Sequence, residues 1–221
     1  MREQEKAAEL WRPKAETLKR RAELWMEQPS GTAWRTVLSP LAQEQAEQPF
    51  EVVALLKYAA TAGGGRWEFL MTVQSTGRPE GQIRGWPESL TGQFYKSLWT
   101  TALLSCGREL LYEELKVWAQ TQIPLVEVRP MEGPGLDAVP LSEMEGLYRR
   151  LNGERIGVGI NAFGVLLPEA SCGGWFAVCA KEDSAAPSEG EDCPAGSGCA
   201  FCARYAGCKK IQKTAKRQKG R

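Results

Sequence analysis

Apolar positions along this chain follow two periods, and the change between them predicts its elements. Over residues 2–28, Trp11, Ala15, Leu18, Ala22 and Trp25 recur at alternating spacings of four and three, and Ala7-Ala-Glu-Leu-Trp11 is echoed by Arg21-Ala-Glu-Leu-Trp25. That stripe predicts an N-terminal amphipathic helix, kinked or begun in its main part by Pro13, whose apolar side packs on the protein's own core or on a protein partner. Pro29 to Thr32 break it, residues 33–38 form a short element of undecided type, and Leu41–Gln48 reads as a polar helix. Pro49 suits the first turn of a further helix over Phe50–Thr61, with Phe50, Val53, Leu55 and Leu56 as its buried side.

The glycines before Arg66 stop that helix, and Trp67, Phe69, Met71 and Val73 then alternate as one face of a strand. A phosphate cradle is not expected at this triple glycine, because the order is helix, glycines, strand and no Lys-Ser or Lys-Thr follows. Thr76–Pro87 is a polar loop holding Arg78, Arg84 and Trp86. The longest helical pattern runs from Glu88 to Gln122, with Cys106 among its apolar positions and Gly107 predicting a kink or a division into two helices. Ile123–Val128 reads as a strand and 130–140 as a Pro/Gly-rich connection. A capping box at Ser142 to Glu145 opens a helix that Asn152-Gly153 closes, with Tyr148, Arg149 and Arg150 on its polar side. Glycine-spaced strands are expected at Arg155–Ile160, Gly164–Leu167 and Gly174–Cys179. The whole predicts an α+β fold: a mostly helical N-terminal two-thirds, then a small antiparallel β region, then a C-terminal Cys-rich module.

Composition narrows the chemistry. The 221 residues include no histidine, which removes Ser-His-Asp and Cys-His catalysis, histidine-ligated zinc and a histidine general base. With no paired-carboxylate motif either, the sequence points away from an enzyme. The formal charge of +1 conceals a segregation. Residues 181–192 (KEDSAAPSEGED) have the acidic, small-residue composition of a flexible linker, whereas 209–221 carry seven basic residues and no acid. No apolar leader follows the first residues and no apolar run is long enough for a membrane span, so the expectation is a cytoplasmic, prokaryotic-style protein without a membrane partner.

The strongest chemical signal is Cys193, Cys199, Cys202 and Cys208, spaced C-x5-C-x2-C-x5-C among glycines and alanines. In a reducing compartment four thiolates so close in sequence favour a metal over disulfides. Zinc is the first expectation, with a structural role because cysteine fills every ligand position; an iron–sulfur cluster is the alternative. Cys199 to Cys208 loosely resembles part of the auxiliary-cluster tails of radical-SAM proteins, but that likeness implies no activity without the barrel domain such proteins need. Cys172 and Cys179 are candidates for a second site or a replacement ligand. Behind the cysteines, Lys209, Lys210, Lys213, Lys216, Arg217, Lys219 and Arg221 suit phosphate contacts, and Phe201 and Tyr205 beside Arg204 suit stacking on unpaired bases of DNA or RNA.

The organisation expected is therefore an N-terminal helix (1–28), an α+β body (29–180), a linker (181–192), a metal module (193–208) and a basic tail (209–221). Its function is expected to be that of an accessory nucleic-acid-binding protein. The alternative is an iron–sulfur or redox-system component docking a partner protein.

Overall fold

The computed structural model describes residues 8–47, 49–61, 64–76, 90–122, 126–136 and 139–180. Residues 1–180 form one compact unit and 181–221 a second, and the second lies wholly outside the described residues. The first unit is built on a five-stranded antiparallel sheet in the order β1-β2-β3-β7-β4. In chain order these are β1 (Glu9–Trp11), three helices α1 (Ala15–Met26), α2 (Pro29–Val37) and α3 (Pro40–Glu47), then β2 (Phe50–Thr61) and β3 (Gly64–Ser75). Helix α4 (Leu90–Gln122) follows, then β4 (Val126–Glu132), α5 (Glu143–Leu151), a 3-10 turn (Gly153–Ile156), the small hairpin β5 (Gly159–Ile160) and β6 (Leu166–Leu167), and β7 (Ser171–Ala180).

This corrects the expected fold class. The sheet is neither small nor confined to the end: two of its longest strands, β2 and β3, precede the long helix, which sits in the middle of the chain. The decisive misreading is Phe50–Thr61, expected as a helix and found as β2, paired residue for residue with β3 from Phe50↔Ser75 to Thr61↔Gly64. Val52, Ala54 and Leu56 are buried on one side of this strand and Val53 and Leu55 on the other. A strand buried on both faces shows a continuous apolar run and not an alternation, which is why its sequence fits a helix equally well.

Residues 2–28 are likewise not one helix. Trp11 belongs to β1, paired with Ala54, and α1 begins only at Ala15, because Pro13 biases the residue before it to extended backbone. Leu18, Ala22 and Met26 form the buried stripe of α1. Bidentate hydrogen bonds from Arg21 to Glu113, at 2.9 and 2.7 Å, tie α1 to α4. The undecided element at 33–38 is helical, part of α2.

Gly107 does not divide the helix in two: α4 is continuous over 33 residues. Gly107 is there for close approach, since a Cβ at this position would lie 2.8 Å from Val52 Cγ1 and 3.3 Å from the Met71 sulfur. Along α4, Tyr95, Trp99, Leu103, Cys106, Leu111 and Leu115 are buried in the larger core. Phe69 of β3, Phe176 of β7 and Tyr112 of α4 stack in sequence at centroid distances of 5.1 and 5.4 Å, joining helix to sheet.

The opposite face carries a smaller cap. Met144, Leu147 and Leu151 of α5, with Ile156, Val158 and Leu166, pack on Val53, Leu55 and Leu70. Ser142 does not close the expected capping box: its backbone is helical and its side chain makes no cap hydrogen bond. Asn152 does end α5 as expected, in the left-handed conformation at φ 57°. Only two residues of Arg155–Ile160 and two of Gly164–Leu167 are strand. Strand β4 starts at Val126 and runs to Glu132, with Pro130 at a register shift on the sheet's outer edge, where a missing N–H is tolerated. Among the described residues no helix is long and apolar enough to cross a membrane.

Candidate functional site

The module on which sequence reasoning rests, Cys193, Cys199, Cys202 and Cys208, lies outside the described residues, and so do Phe201, Arg204, Tyr205 and the basic positions from Lys209 to Arg221. Cys172 and Cys179 are described, both as free thiols on β7. Seven positions apart on one strand, they point to opposite faces about 23 Å apart along the chain and cannot ligate one ion together. Cys172 faces the α4 side beside Met71, and burial pushes its thiol up to about 11. Among the described residues no group of three or more Cys, Asp or Glu could hold a metal.

Within the body, the densest polar chemistry gathers where the α5 cap ends. Alternation along β3 puts Trp67, Phe69 and Met71 toward α4, so Arg66, Glu68 and Leu70 face the cap. Leu70 is covered by α5; Glu68, one step further along the same face, meets the last turn of that helix. Its carboxylate is only 1% exposed. Arg150 donates to it twice, Nε to Oε2 at 3.1 Å and Nη2 to Oε1 at 3.0 Å, and Arg66 donates from Nη2 to Oε1 at 2.6 Å. The Arg66 guanidinium also lies 4.8 Å above the indole of Trp175, the residue beside Glu68 on β7. Trp175 in turn donates from Nε1 to Glu132 of β4 at 3.1 Å.

The arrangement has a definite electrostatic character. One buried carboxylate is satisfied by two cations whose side chains are 35% and 39% exposed. Glu68 holds both forks in place, and guanidinium geometry matches carboxylate. The cluster anchors the end of α5 to β3. Arg150 was among the residues noted on the polar side of α5; Arg149 instead pairs along its own helix with Glu145. Glu68 was missed. Its one sequence signal was an acid midway along a strand whose other face is aromatic, and its main partner lies 82 positions away.

A second polar contact closes the far side of the molecule. Tyr95, fully buried on α4, donates to Glu47 of α3 at 2.5 Å, and burial together with that bond pushes its phenol up to about 12. Arg35 of α2 approaches the same Glu47 oxygen at 3.8 Å. This trio fastens α2 and α3 onto α4.

No protein-family model matches the chain, and no curated protein sequence matches it.

Proposed function

We propose that this protein is an accessory nucleic-acid-binding protein in which a zinc-bound four-cysteine module (193–208) and the basic stretch after it (209–221) contact the phosphate backbone. The observation that carries the reading is the confinement of four cysteines to 193–208 and of seven basic residues without an acid to 209–221, in a chain without histidine. Four thiolates around zinc give a short segment folding energy that it lacks a core to supply. Each neutralised phosphate releases counterions, so the basic residues add affinity that falls with salt. Phe201 and Tyr205 supply stacking on unpaired bases.

The test is metal analysis of the full chain followed by binding of labelled single-stranded and duplex DNA and RNA across a salt series. One zinc per chain is expected, lost in the Cys199→Ser/Cys202→Ser variant. Replacing the seven basic residues of 209–221 with glutamine should weaken binding and flatten its salt dependence by about 0.7–0.9 in log–log slope for each phosphate contact removed. Unchanged affinity in that variant overturns the proposal. Iron with inorganic sulfide and a broad visible absorption would replace it with an iron–sulfur component that docks a partner protein.

A further inference from the structure

We draw no further inference here: the strongest candidate, the exposed apolar surface patch of Phe163, Val165 and Leu167 on the β5–β6 hairpin with Leu141 against its tip, carries nothing because nothing in the structure shows what covers it.

Discussion

The two faces of the sheet are covered by different means. On one, α4 lies across the strands with Gly107 drawn onto Val52 and Met71, and it encloses the thiols of Cys106 and Cys172 and the Tyr95 phenol. On the other, α5 and the turns after it cover only part of the surface, and the uncovered part is secured by a buried carboxylate and two arginines. Close packing dominates the first face, with the Arg21–Glu113 and Arg35–Glu47 pairs at its margin, whereas a buried ion cluster secures the second. The contrast means that pH, cavity volume and charge should act on the two faces separately.

The largest expected effect is alkaline and belongs to the α4 face. Burial pushes Cys106 up to about 12, the Cys172 thiol up to about 11, and the Tyr95 phenol, with its bond to Glu47, up to about 12. In the unfolded chain thiols ionise near 9 and phenols near 10, so stability is unaffected below pH 9 and falls between there and the folded-state values. The slope is about 1.4 kcal/mol per pH unit for each group, several kcal/mol in total by the top of the window. Melting temperatures followed from pH 8 to 11 should be flat and then drop, and Cys106→Ala should remove part of the drop; a profile that stays flat removes the account.

The next effect breaks the other face. With Arg66→Met and Arg150→Met together, Glu68 is left buried without a cation, which should cost about 3–5 kcal/mol in urea denaturation. Glu68→Gln should cost less, about 1–2 kcal/mol, because the partly exposed arginines can turn to water. Equal losses would mean that the carboxylate is better solvated than its burial indicates.

A smaller change returns to α4. Gly107→Ala gains about 1 kcal/mol of helix propensity but forces a methyl group against Val52, a strain of about 1–3 kcal/mol, so a net loss near 1 kcal/mol is expected. Adding Val52→Ala should relieve the strain in a double-mutant cycle, and additivity would remove the close-approach argument.

The smallest concerns the surface. The Arg21 hydrogen bond holds the Glu113 carboxyl below its usual range. Its contribution is present above the ordinary carboxylate value and lost as pH falls through the lowered one. On an exposed pair it is worth under about 1 kcal/mol, so Arg21→Gln should shift stability slightly at neutral pH and not at all in strong acid.

Legibility in the sequence followed the same division. Strand β3 was readable because its aromatic face alternates against Arg66 and Glu68, whereas β2, apolar on both sides from Val52 to Leu56, carried no period of two to read. Gly107 was noticed for its low propensity, but propensity cannot foresee a strand that needs the helix within reach. Asn152 was legible as a stop because the left-handed conformation is a local requirement. The Glu68 cluster depends on a contact between β3 and α5 that only the tertiary fold creates. Of the cysteines weighed as metal ligands, Cys172 and Cys179 lie on the described body, and strand parity separates them.

The order of the sheet has a consequence for how the chain becomes a protein at all. Strand β7, the last of the described strands to be made, is not an edge but the partner of both β3 and β4, with Cys172 to Cys179 set against Met71 to Gly64 on one side. The β2–β3 hairpin can form early from local contacts, yet its β3 edge stays open through roughly a hundred residues of synthesis, a non-local closure that slows folding and exposes strand edges meanwhile. Any chain ending before residue 171 would leave the β3 edge open and β4 without its strand partner.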